Sequence, residues 1–385
     1  MSLAPNTVTA ADPAAEPVRV MVVDDSAVIR GLITRALESD PGIRVLHSAG
    51  NGKVAAETAA RADIEVVVLD IEMPVMDGIA ALPKLLEARP GLQVVMASTL
   101  TRKNADMSLK ALAAGAADYV TKPSSSTELV SAEDFKRELT AKVKALGHAF
   151  RRGRSRWGRP AGAPPATVRP RATAPAHPAA PTPIQLRPEA ATSPEIVAIG
   201  SSTGGPQALF KVLGGLGGRT DLPILITQHM PATFTAILAE HIAQASRIPT
   251  AEARDGEPVE RGRIYVAPGD IHMTVAIEDG KRVIRLVKSA PENFCRPAVD
   301  PMLRSVAQVY GARALIVILT GMGSDGQKGS AAVVAAGGSV IAQDEATSVV
   351  WGMPGAVARA GLCSAVLPLS EIAPYLRRFA MRSAA

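Results

Sequence analysis

Short apolar runs recur along the chain. Each ends at a polar or glycine-marked loop and is followed by a stretch with apolar positions three and four residues apart. VRVMVVDD, residues 18–25, reads as a strand. SAVIRGLITRAL follows it with Val28, Ile29, Leu32, Ile33 and Leu37 on one helical face. IRVLHSAG, IEVVVLD, LQVVMAST and ADYVTKP are the next strands, and KVAAETAARA, GIAALPKLLEAR and SLKALAAGA are the helices between them. IEVVVLD shows no polar alternation, as expected of a strand buried on both faces. A last helix is expected near residues 132–147. Five such βα repeats predict a doubly wound parallel sheet.

The pattern stops at residues 151–188, RRGRSRWGRPAGAPPATVRPRATAPAHPAAPTPIQLRP, and then restarts. EIVAIG, LPILITQ, ALIVILT and GSVIAQD are apolar strands leading into loops. RGRIYVAP, MTVAIEDG and KRVIRLV look like a β-meander, and AVLPLSEIAPYLRRFA closes with a helix. This predicts a second α/β domain with an antiparallel β insertion. The expected organisation is a disordered tail (1–17), a first domain (18–140), a helix end and Pro/Arg-rich disordered linker (141–192) and a second domain (193–385).

Charge changes this picture in one respect. The formal net charge of +6 hints at nucleic acid, but eight arginines and no acid lie between Arg151 and Pro188. Without those eight the chain carries −2, so the basic character belongs to the linker and not to a folded face. Nine prolines in the same stretch oppose helix and sheet. No helix-turn-helix pattern follows it, and a nucleic-acid partner is not expected. The two cysteines suggest no disulfide framework, which fits a reducing cytoplasm. The first residues lack the basic and apolar regions of a secretion signal, and no run approaches the roughly 18 apolar residues of a membrane span.

The candidate chemistry sits at strand ends. Asp24 and Asp25 end the first strand, Asp70 the third, Ser98 and Thr99 the fourth, and Lys122 follows the fifth. In an open parallel sheet these groups converge on the rim where ligands bind. Crowded carboxylates call for a hard divalent cation, Mg²⁺, and the lysine and hydroxyls suit an added phosphoryl group. The chemistry suggested is phosphoryl transfer onto a carboxylate. With this set of residues, residues 18 to 140 resemble the flavodoxin-like receiver domain of two-component response regulators. The resemblance implies Asp70 as phospho-acceptor, Asp24 and Asp25 as Mg²⁺ ligands with the Glu72 carbonyl in DIEMPVMDG, and Lys122 as phosphate partner. It implies Ser98 as the switch hydroxyl, with Thr99 one residue away as the alternative, and leaves Asp77 a structural role.

In the second domain, Gly200-Ser201-Ser202-Thr203-Gly204 fits G-x-S-x-G, a nucleophile on a sharp strand-to-helix turn. The helix N-terminus that follows offers N–H groups to a developing oxyanion. Ser202 is the central residue. A serine needs a base. His229 ends LPILITQ on the same rim, and His272 in APGDIHM is its rival. An orienting acid is offered by Asp325 in GMGSDG after ALIVILT, with Asp344 after GSVIAQ as the rival. The order Ser, His, Asp disfavours the α/β-hydrolases.

The motifs AIGSSTGGP, TQHMP, YVAPGDIHM, LTGMGSDG and DEATSVVWGMP resemble the protein-glutamate methylesterase family of bacterial chemotaxis. That resemblance implies a Rossmann-like catalytic domain with Ser202 as nucleophile, His229 as base and Asp325 as orienting acid. Thr203 and Met322 are implied as neighbours of the oxyanion and the histidine. Ser201 stands where a small residue such as Ala is common. The implied activity is hydrolysis of glutamyl methyl esters, with glutamine deamidation beside it. The substrates would be methyl-accepting chemoreceptors and the phosphodonor a chemotaxis histidine kinase. Mg²⁺ would serve the receiver alone, with no cofactor for the esterase. The expected setting is the cytoplasm, near membrane-embedded receptor arrays. The unphosphorylated receiver is expected to block access to the second domain's rim until Asp70 is phosphorylated.

Overall fold

The computed structural model describes residues 16–122, 129–157 and 184–380. The chain divides into two compact units, Met1–Thr99 with Ala114–Arg159, and Leu100–Ala113 with Pro160–Ala385.

The alternation read in the first half becomes β1 (Val18–Val23), α1 (Ala27–Glu38), β2 (Ile43–Ala49), α2 (Gly52–Ala59), β3 (Val66–Asp70), α3 (Gly78–Ala88), β4 (Gln93–Ser98), α4 (Arg102–Ala113), β5 (Asp118–Thr121) and α5 (Leu129–Trp157). Among the described residues the five strands pair in parallel in the order β2-β1-β3-β4-β5. Central β3 is buried at every position, which is why its sequence shows no alternation. The strand order reverses between β1 and β3, so the crevice beyond their carboxyl ends lies between Asp24 and Asp70.

The second unit continues with β6 (Ile196–Ser201), α6 (Gly205–Gly214), β7 (Ile224–Gln228), α7 (Ala232–Ser246), β8 (Thr250–Glu252), β9 (Ile264–Val266), β10 (His272–Glu278) and β11 (Lys281–Val287). It closes with α8 (Val299–Tyr310), β12 (Ala314–Ile318), α9 (Gln327–Ala335), β13 (Ser339–Gln343), α10 (Met353–Arg359), β14 (Ala365–Leu367) and α11 (Leu369–Ala380). Its seven-stranded sheet runs β14-β13-β12-β6-β7-β9-β8, and every pair is parallel. The order reverses between β6 and β12. β10 and β11 form a separate antiparallel hairpin, with His272 opposite Val287 and Glu278 opposite Lys281.

Two expectations need correction. RGRIYVAP does not join a meander. Its fully buried Ile264–Val266 inserts between β7 and β8 as a parallel strand, leaving only the hairpin as the antiparallel insertion. The Pro/Arg-rich linker read at residues 151–188 is shorter at both ends. Its first arginines continue α5 to Trp157, and Arg151 makes an ion pair with the fully buried Glu65 at 2.7 Å. At the other end Arg187 N donates to the Cys363 carbonyl, and Ala190 N to Ser339 Oγ, tying these residues to the second unit. Residues 158–183 and the tail 1–15 lie outside the described residues. No helix among the described residues is long and apolar enough to cross a membrane.

Candidate active sites

The first rim is built by strands that end where their sequence turns acidic. Asp24 and Asp70 are buried beyond β1 and at the end of β3, while Asp25 is exposed. Lys122, after β5, places its Nζ 2.6 Å from Asp24 Oδ2 and 2.6 Å from Asp70 Oδ1. Burial, aided by the Asp24 charge, raises the Asp70 carboxyl above its ordinary range, although Lys122 and the Ile71 N–H pull the other way. Gly78 lets this loop close: a Cβ there would sit 2.1 Å from the Asp70 carbonyl oxygen. Asp77 caps α3 by accepting Ala80 N at 2.7 Å.

Asp24, Asp25 and Asp70 each bring a carboxylate oxygen within 4.8 Å of the others. Three carboxylates against one ammonium leave an excess of negative charge that a hard divalent cation balances, so the donor set fits Mg²⁺. Ser98 is buried at the end of β4, and its carbonyl accepts Lys122 N at 2.7 Å. Thr99 and Glu72 are exposed on the loops after β4 and β3.

The second rim begins at the end of β6. Ser201 is its last residue and is fully buried, its Oγ donating to Gln228 Oε1 at 2.7 Å. Ser202 follows, half-buried, outside the strand. Gly204 then adopts φ +74°, a left-handed conformation that glycine takes without strain, and starts α6 with no side-chain cap. Register fixes what stands beside Ser202. Ser201 pairs with Gln228 across β6 and β7, so Ser202 and His229 leave the sheet as neighbours. His229 N donates to Ser201 O at 3.1 Å, and Gln228 Nε2 donates to Ser202 O at 3.0 Å.

The imidazole meets the acid directly: His229 Nε2 lies 2.7 Å from Asp325 Oδ2. An ionised carboxylate only accepts, so Nε2 carries the proton and Nδ1 is the basic edge. Burial opposes charging of His229, but the Asp325 bond and the Cys295 sulfur outweigh it, and the pKa is raised above the ordinary imidazole value. Asp325 is almost fully buried. Burial raises its carboxyl, yet His229 and the amides of Val299 and Asp300 hold it below the ordinary range.

Those amides belong to the first turn of α8. Val299 N and Asp300 N donate to Asp325 at 2.6 and 3.0 Å, and Gly326 N adds a third bond at 2.9 Å. Asp325 therefore caps α8 from outside its sequence, where the helix dipole favours its charge. Thr203 is buried, its hydroxyl without a hydrogen-bond partner among the described residues. Met322 is half-buried on the loop three residues before Asp325.

The rivals are accounted for elsewhere. His272 is fully buried; its Nε2 donates to Ala290 O and its Nδ1 accepts Ala298 N. Asp344 shapes a turn by accepting Thr347 N and Oγ1. Two other residues at this rim went unread in the sequence. Asn293 donates through Nδ2 to both Asp325 Oδ1 (2.8 Å) and Asp300 Oδ2 (3.0 Å), and Cys295 Sγ lies 3.3 Å from His229 Nδ1. Neither carries a motif signal; only the fold brings the loop before α8 to this rim.

Comparison with known proteins finds relatives of both halves of the chain. A family model described as CheB methylesterase matches residues 197–376, and one described as response regulator receiver domain matches residues 20–133. The protein-glutamate methylesterase/protein-glutamine glutaminase of group 2 operon from Rhodospirillum centenum is 60% identical over 402 residues, covering 100% of each chain. Protein-glutamate methylesterase/protein-glutamine glutaminase 1 from Paramagnetospirillum magneticum is 60% identical over 377 residues, covering 96% of this chain and 98% of that one. Among solved structures, the CheB methylesterase catalytic domain of Thermotoga maritima is 44% identical, covers 49% of this chain and 99% of its own, and superposes with a TM-score of 0.47.

Proposed function

The chain belongs to the protein-glutamate methylesterase/protein-glutamine glutaminase family, and from that premise we propose that it is a phosphorylation-controlled serine hydrolase acting on glutamyl methyl esters, and on glutamine side chains, of chemoreceptor helices. The observation that carries the reading is the 2.7 Å His229–Asp325 contact on the rim where register sets Ser202 beside His229.

Ser202 Oγ attacks the ester carbonyl while Nδ1 of His229 takes its proton. Asp325 keeps the other nitrogen protonated and stabilises the imidazolium. The amides at the start of α6, near Thr203, and those near Met322 receive the developing oxyanion. His229 returns the proton to the departing methoxide, which leaves as methanol. A water molecule then attacks the acyl-enzyme with His229 again as base, freeing the glutamate carboxylate and Ser202. With a glutamine side chain the leaving group is ammonia.

Control comes from the first rim. Asp70 accepts the phosphoryl group from a chemotaxis histidine kinase or a small phosphodonor. Asp24 and Asp25, with Asp70 and the Glu72 carbonyl, would hold Mg²⁺, which when bound neutralises phosphate oxygens. Lys122 pairs with the phosphoryl group, and Ser98, rather than exposed Thr99, reports its arrival. Phosphorylation of Asp70 raises the activity of the second rim. The protein works in the cytoplasm against membrane-embedded receptor arrays.

The test is methanol release from a methylated chemoreceptor fragment by full-length protein. Release is expected to rise with acetyl phosphate and Mg²⁺, and to vanish in Ser202→Ala. Release retained in Ser202→Ala would overturn the nucleophile assignment.

A further inference from the structure

The nitrogen that the proposed chemistry requires, Nδ1 of His229, is met by sulfur. Cys295 Sγ lies 3.3 Å from it, while Nε2 is already engaged by Asp325. The loop that delivers this sulfur is held at its base. Glu292 and Cys295 exchange backbone hydrogen bonds of 3.1 and 2.8 Å, and Arg304 grips the Glu292 carboxylate with two nitrogens at 2.6 and 3.0 Å. Between them Asn293 and Phe294 adopt φ of +51° and +62°. Asparagine tolerates that left-handed region; an aromatic residue does so only under constraint. Such a backbone persists where surrounding contacts over-determine it, often at functional sites. Here one arm of the turn, Asn293, holds the acid, and the other, Cys295, holds the base.

Resting on the reading of Ser202, His229 and Asp325 as the catalytic set, we infer that Cys295 is a positioning residue: its sulfur holds the Nδ1 edge of His229 in the resting protein and yields that edge to Ser202 during turnover. A sulfur accepting from the Nδ1–H of a charged imidazole stabilises the protonated base. In the attacking state the base must be neutral, with its lone pair turned to Ser202 Oγ. Cys295 thus sets the pH at which the base becomes available. The groups that face His229 are Asp325, from the loop after β12, and Cys295, from the loop before α8. Behind Asp325 stands Asp300 in the first turn of α8, and Arg304 lies one turn further along that helix. The raised pKa of His229 agrees with a sulfur acting in this direction: burial, the largest influence, opposes it, while the Asp325 bond and the sulfur both raise it.

The experiment is the pH profile of kcat/KM for methanol release by full-length, phosphodonor-treated protein, comparing wild type, Cys295→Ala, Cys295→Ser and Ser202→Ala. Removing the sulfur should move the acid limb of Cys295→Ala to lower pH by at least about half a unit, a threefold change in the protonation constant. Cys295→Ser, whose smaller hydroxyl oxygen can still accept from N–H, should fall between Cys295→Ala and wild type. An acid limb that stays in place in both variants, with activity changed by one factor at every pH, would overturn the inference and leave the sulfur a packing role. If Cys295→Ala proves unstable, Cys295→Ser alone decides it: a lowered limb supports the inference, an unmoved limb overturns it. Ser202→Ala separates this from the underlying reading. Activity retained there would sink the triad, whereas an inactive Ser202→Ala with unmoved cysteine variants sinks only the role given to Cys295.

Discussion

The two rims are finished differently. In the first unit the helices starting at the rim are capped from their own sequence: Ser26 accepts Ile29 N, Asn51 accepts Val54 N and Asp77 accepts Ala80 N. In the second unit α6, α8 and α9 start without a side-chain cap. The first amides of α8 go to Asp325, and the first amide of α6, Gly205 N, donates to Ser202 O at 2.7 Å. The first rim satisfies its helix ends locally, and its acids take Lys122 and neighbouring backbone N–H groups, Ser26 N on Asp24 and Ile71 N on Asp70. The second draws helix ends into the charged pair itself. Its acid is therefore at once a chemical group and a structural cap, so a single substitution there has two consequences where the first rim shows one.

That contrast is broken most severely at Ser202. Ser202→Ala should lower methanol release by about 10³-fold or more, as loss of one member of a triad does. Uptake of phosphate from a labelled phosphodonor should be unchanged. Asp70→Asn should do the reverse, abolishing uptake and the rise in methanol release while the basal rate remains. Phosphate uptake lost in Ser202→Ala would contradict the independence of the two rims.

Next is Asp325→Asn. The amide leaves His229 without a carboxylate partner, and turnover should fall by about 10⁴-fold. The same change weakens the cap of α8, so the second unit should also lose about 1–2 kcal/mol in denaturant unfolding. Asp70→Asn should carry no comparable loss, because no helix end depends on it. Equal stability of wild type and Asp325→Asn would contradict the double role.

The pH dependence follows from the raised pKa of His229. A base is useful only when neutral, so activity should fall as pH drops through that raised value. The acid limb of kcat/KM should then lie above the ordinary histidine range of about 6.5. A limb at or below that range would contradict the assignment. A smaller effect is expected of Asn293→Ala, which removes the amide shared by two buried carboxylates. A loss of about 1–3 kcal/mol accompanies an unsatisfied buried acceptor, and kcat/KM should drop roughly tenfold. Smallest is Ser26→Ala on the first rim. Its 3.4 Å cap bond is long, so about 0.5–1 kcal/mol of local stability should be lost with esterase activity intact.

The same contrast explains what was legible in the sequence. Strand ends announce themselves, because an apolar run terminated by Asp, Ser or His fixes both an element and its polar tip. Asp24, Asp70, Lys122, Ser202, His229 and Asp325 were readable for that reason. Asn293 and Cys295 sit in a loop before α8 that meets the other strand ends only through tertiary packing, so no local period marks them. Gln228, holding Ser201 and the Ser202 carbonyl, is hidden as the last residue of an apolar strand. Ile264–Val266 is too short to display an alternation, and its burial on all sides, not its pattern, decides its parallel pairing. The arginines after residue 150 looked like linker because their composition is that of a linker. Yet Arg151 is held in α5 by Glu65, a partner 86 positions away that no reading of neighbours reveals.

The most direct test of the account is methanol release from a methylated chemoreceptor fragment, measured for wild type, Ser202→Ala and Asp70→Asn with and without acetyl phosphate and Mg²⁺. The account predicts release that rises with the phosphodonor in wild type, stays at the basal rate in Asp70→Asn and is absent in Ser202→Ala. Release that persists in Ser202→Ala, or that rises with the phosphodonor in Asp70→Asn, would contradict it.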